Sequence, residues 1–156
     1  MGPLAELLVC VLLLLSVGGL GAMATYPNIA SWYAGLVKPS WTPPNALFGP
    51  VWTALYLMMA VSLWRVWRRR RQVALSGPLG VFGCQLVLNA AWSWLFFAWH
   101  RPDWAMGDIL LLWIFILITI RRFYVIDRWA ARLLIPYLAW VSFATALNAA
   151  IVVLNP

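Results

Sequence analysis

The residues of this 156-residue sequence with the clearest chemical use are tryptophans and amides. The third long apolar run places Gln85, Asn89, Trp92 and Phe96 at i, i+4, i+7 and i+11, which puts all four on one face of a helix. Amides donate and accept hydrogen bonds, and an indole offers a flat apolar surface with one N–H donor. Such a face is typical of a surface that binds a flat, mostly apolar molecule.

Two further runs present faces of the same character at helical spacing: Trp52, Tyr56 and Met59 in the second run, and Tyr137, Trp140, Ala144 and Asn148 in the last. If the three faces converge, they enclose a pocket with apolar walls and a few hydrogen-bonding groups, the usual design of a small-molecule site. The alternative is that Gln85, Asn89 and Asn148 only bridge neighbouring helices. Spacing alone leaves both interpretations open.

Conventional catalytic and metal-binding patterns are missing from the sequence. The single histidine, His100, stands beside Arg101 without an acidic, Cys or Ser partner near it in sequence, and we interpret it as an interfacial residue. The acids are four scattered residues: Glu6, Asp103, Asp108 and Asp127. Cys10 and Cys84 both lie inside apolar runs. We therefore expect no metal and no cofactor, and a binding protein rather than an enzyme.

The elements that position these faces must lie in a membrane. With 65% hydrophobic and 10% charged residues and a mean hydropathy of +0.87, the chain has too little polar surface to cover a water-soluble globule. A spanning helix needs roughly 20 apolar residues, and barrel strands would alternate polar and apolar residues. The sequence predicts one all-α domain, a bundle of five transmembrane helices at about 4–24, 46–67, 78–99, 104–120 and 133–154.

The arginines indicate how the bundle is oriented. Five lie at the second loop (Arg65 and residues 68–71) and four at or near the fourth (Arg121, Arg122, Arg128 and Arg132), whereas the other side has only Lys38 and Arg101. By the positive-inside rule, the second and fourth loops and the N-terminus are cytoplasmic. Topology explains the net charge of +7 better than nucleic-acid binding does. The first run also has features of a signal peptide, with Ala22-Met23-Ala24 as its cleavage site, but residues 1–6 lack the basic residues of one.

The first loop, residues 25–45, is rich in aromatic residues and prolines, including Trp32, Tyr33, Trp41 and the pair Pro43-Pro44. Proline restricts the backbone and aromatic rings bury much area with few rotatable bonds, so this loop is able to form an ordered lid. Aromatic residues also collect at headgroup depth in membrane proteins without any further role. Both interpretations of the loop stay open.

Three segments, taken together, resemble the TspO/MBR family, the tryptophan-rich sensory proteins whose animal members are called translocator protein or peripheral benzodiazepine receptor. They are Trp32-Tyr33 with Lys38-Pro39-Ser40-Trp41-Thr42-Pro43-Pro44 and Pro50-Val51-Trp52-Thr53; Gln85-Leu86-Val87-Leu88-Asn89-Ala90-Ala91-Trp92-Ser93; and Leu133-Leu134-Ile135-Pro136-Tyr137-Leu138-Ala139-Trp140 with Ala144-Thr145-Ala146-Leu147-Asn148. The resemblance implies a five-helix bundle, commonly dimeric, that binds porphyrins such as protoporphyrin IX, and in some members sterols and benzodiazepine-type drugs, under the first loop.

Carried over position by position, the resemblance implies that Trp52 and Trp140 are pocket tryptophans and that Asn89, Phe96, Ala144 and Asn148 line the pocket. The complete predicted ligand site is Trp41, Trp52, Tyr56, Gln85, Asn89, Trp92, Phe96, Tyr137, Trp140, Ala144 and Asn148. The animal proteins end the last helix with a cholesterol motif that includes a Tyr and a basic residue, and residues 148–156 contain neither. Sterol binding by that route is not expected.

We predict a porphyrin-binding membrane protein, a sensor, scavenger or carrier, in a bacterial membrane. One alternative is light-dependent porphyrin degradation at the expense of Trp52 and Trp140. Another is a structural interaction subunit without a small-molecule ligand. Small residues in the third helix that could support close contacts in a homodimer are Gly80, Gly83, Ala90 and Ala91.

Overall fold

The computed structural model describes residues 2–156, and its regular structure is all helical. Five segments are long and apolar enough to cross a membrane: Pro3–Tyr33, Asn45–Trp67, Ser76–Ala98, Pro102–Ile126 and Arg128–Leu154. The predicted all-α bundle of five transmembrane helices is thereby confirmed. The chain is an integral multi-pass membrane protein.

Six α-helices build these segments: α1 (Pro3–Asn28), α2 (Phe48–Trp67), α3 (Ser76–Ser93), α4 (Pro102–Ile126), α5 (Arg128–Leu133) and α6 (Ile135–Leu154). Two of them continue into a π-helical turn, α1 into Ile29–Tyr33 and α3 into Trp94–Ala98. Three helices carry a proline at their first or second residue, where the missing N–H costs nothing: α1, α4 and α6. The short α5 and the long α6 together form the fifth segment.

Helix boundaries differ from the predicted ones mainly at polar residues. The first helical segment continues nine residues beyond position 24, so the predicted first loop is helical up to Tyr33. The helix also runs without a break through Ala22-Met23-Ala24, and Ala24 is buried in the bundle. Pro27 lies inside α1 directly before the π-helical turn, where its lack of an N–H disturbs the regular hydrogen bonding.

The predicted fourth loop, residues 121–132, is almost entirely helical. Arg121 and Arg122 belong to the last turns of α4, and Arg128 and Arg132 belong to α5. Long aliphatic arms let arginines extend a membrane helix while their guanidinium groups reach water. Asp127 stands between the two helices, and its carboxylate accepts a hydrogen bond from the Ala130 N–H at 2.9 Å, which caps α5.

The core lies along the centre of the bundle and contains few polar side chains. Leu14, Met59 and Tyr137 are fully buried, and Phe82 stacks on Phe123 with ring centres 5.5 Å apart. Large apolar side chains elsewhere face outward, as expected for a surface in contact with lipid. Five buried polar side chains have hydrogen-bond or sulfur contacts: Ser62, Gln85, Asn89, Thr119 and Asn148.

The bundle has two chemically different ends. At the end called here the basic end, the Trp64 Nε1 donates to the Pro3 carbonyl at 3.0 Å, and Arg65 pairs with Asp127 at 2.9 Å. These contacts place the N-terminus of α1, the C-termini of α2 and α4, and α5 together. The opposite end, the loop end, contains both π-helical turns, residues 34–44 and the C-terminus of α6. The prediction that the second and fourth loops lie on the same side of the bundle is therefore confirmed.

Candidate functional site

A cavity of about 280 Å³ lies between α1, α2, α3 and α6 in the half of the bundle nearest the loop end. Its walls are mostly aromatic and small apolar residues. Eight of the predicted site residues line it: Trp52, Tyr56, Asn89, Trp92, Phe96, Trp140, Ala144 and Asn148. The structure thus brings together the three helix faces whose convergence the spacing suggested.

The two π-helical turns lie against each other beside the cavity at the loop end. Trp32 contacts Phe96 edge to face at 5.3 Å between ring centres, and Tyr33 contacts Phe97 at 5.6 Å. A π-helical turn inserts one extra residue into a helix and changes the direction in which the next side chains point. Here both turns carry rings that border the cavity: Tyr33, Phe96 and Phe97.

The two predicted pocket tryptophans belong to different helices and contact different neighbours. The Trp52 ring on α2 lies 5.7 Å from Tyr56 and 6.3 Å from Tyr137, centre to centre. The Trp140 ring on α6 contacts Phe48 at 5.9 Å in an edge-to-face arrangement. Both indoles are held by packing against other rings, and each contributes to the cavity wall.

Behind one wall lies a chain of buried hydrogen bonds that joins α2, α3 and α6. The Tyr56 hydroxyl donates to Asn89 Oδ1 at 2.5 Å, and Asn89 Nδ2 donates to the Tyr137 oxygen at 2.8 Å. The Tyr137 hydroxyl in turn donates to Gln85 Oε1 at 2.8 Å. The amides therefore bridge helices, as the alternative interpretation proposed. Asn89 also borders the cavity, and its role toward a ligand stays a prediction.

Asn148 makes a second bridge near the loop end. Its Oδ1 accepts from Trp92 Nε1 at 3.0 Å, and its Nδ2 donates to the Pro102 carbonyl at 2.8 Å. These bonds connect α6 to α3 and to the start of α4. Because the Asn148 amide already has an acceptor and a donor partner in the protein, its position in the wall is fixed by the fold itself.

Two glycines let α1 approach the cavity walls closely. A Cβ on Gly18 would lie 2.8 Å from a ring carbon of Tyr56, and one on Gly21 would lie 3.1 Å from Ser93 Oγ. The Tyr56 ring cannot easily move aside, because it is buried and its hydroxyl is bonded to Asn89. Gly18 therefore sets the distance between α1 and α2 at the cavity.

The loop of residues 34–44 is anchored by hydrogen bonds to α6. The Val37 N–H donates to Asn155 Oδ1 at 3.0 Å, and Asn155 Nδ2 donates to the Val37 carbonyl at 2.9 Å. Lys38 Nζ donates to the carbonyls of Tyr33 and Leu36 at 2.7 and 2.9 Å. The bonds to Asn155 hold the loop against the residue that follows α6, and its role as a lid stays a prediction. Its flanking residues, Tyr33 and Asn45, border the cavity.

Three predicted site residues lie outside the lining. Gln85 and Tyr137 are buried in the hydrogen-bond chain behind the wall. Trp41 is about half exposed, and its ring contacts Phe143, a lining residue, at 5.7 Å. They are supports of the wall, and any direct role toward a ligand stays a prediction.

The predicted ligand site does not include the cavity-lining residues of α1, nor Phe48 and Phe143. It also does not include Tyr33. Tyr33 lines the cavity, is 4% exposed, and its hydroxyl has no hydrogen-bond partner within residues 2–156. A buried hydroxyl without a partner costs free energy, so it is a candidate for bonding to a ligand. The motif Trp32-Tyr33 pointed to this residue, but only the π-helical turn shows that it reaches the cavity.

His100 and Asp108 lie near the loop end without forming a catalytic arrangement. The His100 ring stacks on Trp32 at 4.6 Å, and its Nε2 lies 3.2 Å from Asn28 Oδ1. It adopts a positive φ of 55° in the turn before α4. One oxygen of Asp108 is buried without a hydrogen-bond partner within the described chain, and Asp108 is not among the cavity-lining residues.

The chain matches the model of one protein family along most of its length. The model of the TspO/MBR family matches residues 9–154, which is nearly the whole chain. This chain belongs to the TspO/MBR family. The resemblance seen in the three sequence segments is thereby confirmed.

Relatives from very different organisms are similar along most of their length. The tryptophan-rich protein TspO of Chlorobaculum tepidum is 45% identical over 155 residues, which are 96% of each chain. That of Archaeoglobus fulgidus is 41% identical over 150 residues, 96% of this chain and 97% of its own. The human translocator protein is 44% identical over 119 residues, 75% of this chain and 70% of its own.

Proposed function

We propose that this TspO/MBR protein binds a porphyrin of the protoporphyrin IX type in the aromatic cavity and acts as a sensor, scavenger or carrier in tetrapyrrole physiology. The observation that carries the proposal is the convergence of Trp52, Trp140 and Phe96 around one cavity. Flat aromatic rings offer a large apolar surface that suits a flat macrocycle. Membership of the family adds support for a tetrapyrrole-related role.

The proposed binding residues are the predicted ones that line the cavity, with Tyr33 added. Asn89 and Asn148 are already hydrogen-bonded within the protein, so their contribution is mainly to hold the wall. The Tyr33 side chain lines the cavity, its buried hydroxyl has no partner within residues 2–156, and we expect this hydroxyl to bond to a polar substituent of the ligand. In this proposal Asn89 and Asn148 maintain the shape of the cavity, and Tyr33 forms the directed hydrogen bond to the ligand.

The test is a titration in the dark of the detergent-purified protein with protoporphyrin IX, followed by tryptophan quenching. Wild type is expected to saturate near micromolar ligand, about 8 kcal/mol of binding free energy. A Trp52→Phe, Trp140→Phe variant should bind more weakly because two cavity rings become smaller. The matched control is Trp67→Phe, Trp129→Phe, which removes two exposed tryptophans at the basic end and should bind like wild type.

The same titration discriminates the structural alternative. A subunit without a small-molecule ligand predicts quenching that does not saturate and is alike in all three proteins, because the porphyrin then only partitions into the micelle. If the control variant binds porphyrin as weakly as the cavity variant does, the site assignment is wrong even though the protein binds porphyrin. Tyr33→Phe keeps the ring and removes the hydroxyl, so a loss in this variant assigns the directed contact.

A second candidate function is light-dependent oxidation of bound porphyrin by oxygen, because two oxidisable indoles, Trp52 and Trp140, border the cavity. Product formation should then need light and oxygen and should be lost in the Trp52→Phe, Trp140→Phe variant. Bleaching at the same rate with free porphyrin in protein-free micelles would dismiss this function. The binding proposal does not depend on the result.

We further propose that the protein is a homodimer in a bacterial membrane, with the basic end in the cytoplasm. Gly80 and Gly83 have no atoms within 4 Å of the position of an added Cβ, so this part of α3 has room for a close neighbour. A Gly83→Leu variant that remains dimeric in crosslinking would argue against this surface. Labelling of single cysteines at residues 69 and 40 from either side of the membrane tests the orientation.

A further inference from the structure

A polar recess of about 250 Å³ lies at the basic end, far from the aromatic cavity. It is lined by Pro3, Glu6, Arg68, Arg70 and Arg71. Three of its five residues carry a guanidinium group, the side chain that matches phosphate oxygens best in charge and geometry. The cavity near the loop end has no comparable charge, so the two sites have different chemistry.

We propose that this recess binds the phosphate of an anionic phospholipid headgroup. The first argument is charge. Nine arginines collect at this end, against two carboxylates, Glu6 and Asp127. Both carboxylates already have arginine partners, Arg70 at 2.6 Å and Arg65 at 2.9 Å. An excess of seven positive charges is left, and Arg68 and Arg71 have no carboxylate partner within residues 2–156.

The second argument is that the recess is held in shape before any ligand arrives. The Arg68 guanidinium lies over the Trp64 ring at 5.2 Å, and the Trp64 Nε1 binds the Pro3 carbonyl. Arg70 lies over Trp67 at 5.1 Å and donates to Glu6. These contacts hold the Arg68 and Arg70 side chains in place, so these two lose little side-chain freedom on binding.

The third argument is depth in the membrane, and it favours a lipid over a free phosphate ion. Exposed aromatic side chains surround this end, with Trp67 38%, Tyr124 49% and Trp129 61% exposed. Trp and Tyr at the end of a bundle mark the level of the lipid headgroups. The recess therefore lies where headgroup phosphates are concentrated, and basic pockets at this depth are suited to anionic lipids.

The experiment measures the thermal unfolding midpoint of the protein in a non-ionic detergent, with dioleoylphosphatidylglycerol or dioleoylphosphatidylcholine added at increasing concentration. The recess variant is Arg68→Gln, Arg71→Gln. The matched control is Arg121→Gln, Arg122→Gln, which removes the same charge from exposed positions at the same end but outside the recess. Because both variants lose two positive charges, diffuse attraction changes alike in both.

Phosphatidylglycerol should raise the midpoint of wild type and control, and phosphatidylcholine should raise it less. The recess variant should need a roughly tenfold or higher phosphatidylglycerol concentration for half of the effect. The proposal would be overturned if the control variant lost the stabilisation by phosphatidylglycerol as fully as the recess variant does. The lipid would then be attracted by the overall positive charge of this end and not by the recess. Equal effects of the two lipids would overturn it as well.

Two additions keep the test decisive. If the double variant does not fold, the single variant Arg71→Gln replaces it, because it leaves the Arg68 and Arg70 stacking in place. It should need a higher phosphatidylglycerol concentration than wild type, with a smaller difference than that expected for the double variant. Glycerol 3-phosphate serves as the soluble probe, and a full rise of the midpoint with it would show a free-phosphate site instead of a lipid site. The proposed porphyrin site lies in the other half of the bundle, and porphyrin binding is measured in a separate titration.

Discussion

Around the cavity of this bundle, rings pack against rings and neutral groups hydrogen-bond to one another. At the basic end, guanidinium groups lie over aromatic rings and pair with carboxylates. Tyr56, Asn89 and Tyr137 illustrate the first kind of contact, and Arg65 with Asp127 illustrates the second. Neutral contacts buried in a membrane respond little to salt or pH, whereas exposed charges respond to both.

The difference teaches how one small helical bundle separates an apolar cavity from a charged surface. The cavity walls are mostly apolar, and the hydrogen-bond chain behind them satisfies the polar groups of Tyr56, Asn89 and Tyr137. The basic end needs charges within reach of water and headgroups, and its arginines are mostly exposed. Four substitutions test this comparison, and they are ordered by the size of the expected effect.

The largest effect is expected from Asn89→Leu, which removes the centre of the buried hydrogen-bond chain. The buried hydroxyls of Tyr56 and Tyr137 then lose a partner, at a cost of about 2–4 kcal/mol in the free energy of unfolding. Denaturant titration in mixed micelles measures this cost. Asn45→Leu makes the same chemical change in an exposed residue at the cavity rim and should cost little; equal costs would contradict the role of the chain.

Gly18→Ala is expected to destabilise the protein by about 1–3 kcal/mol, because the new methyl group would lie too close to the Tyr56 ring. The same change at Gly19 meets no atom within 4 Å and should be neutral or slightly stabilising, since alanine favours helix more than glycine does. Thermal unfolding of both variants checks the pair. Destabilisation by Gly19→Ala alone would show that α1 packs differently from this description.

At the basic end, Asp127→Asn is expected to cost about 1–2 kcal/mol through the loss of the charged bond to Arg65 and a weaker cap on α5. Partial burial raises the pKa of Asp127, but the hydrogen bonds from Arg65 and the Ala130 N–H outweigh this and hold it below its usual value of 3.8. The stabilisation is therefore present above about pH 4 and is lost as the pH falls through the lowered pKa.

The pH dependence of the unfolding midpoint between pH 5 and pH 2.5 measures this contribution, which should be reduced in Asp127→Asn. The control is Asp103→Asn, which breaks an exposed pair with Arg101 near the opposite end and should change the stability very little. If the unfolding midpoint of Asp127→Asn falls with pH as much as that of wild type, other groups are responsible for the pH dependence.

The smallest effect on global stability is expected from Asn155→Ala, at most about 1 kcal/mol, because its bonds to Val37 are exposed. The local effect should be larger: faster hydrogen exchange at the Val37 amide and faster proteolysis of residues 34–44. Asn155→Asp keeps an acceptor for the Val37 N–H and should give an intermediate result. Unchanged exchange in Asn155→Ala would show that the other contacts of the loop, those of Lys38 and Trp41, are enough to hold it.

Helical class, span number and the grouping of the arginines at one end could be predicted from the sequence, because lipid requires backbone groups to bond within each span and excludes free charges. Helix ends were less predictable. Arg121 and Arg122 look like a loop by charge but are helical, since long side chains carry the charge away from the backbone. Tyr33 looks like a loop residue but ends a π-helical turn.

The sequence by itself determined which faces of the second, third and last helices carry rings and amides, because helical spacing fixes the direction of each side chain. Only the tertiary structure decided which of those residues reach the cavity. Trp52, Trp140 and Asn148 line it, whereas Gln85 and Tyr137 lie one layer behind, because a hydrogen-bond chain and the close approach of α1 at Gly18 set the distances between helices. Spacing along one helix contains no information about the helix packed against it.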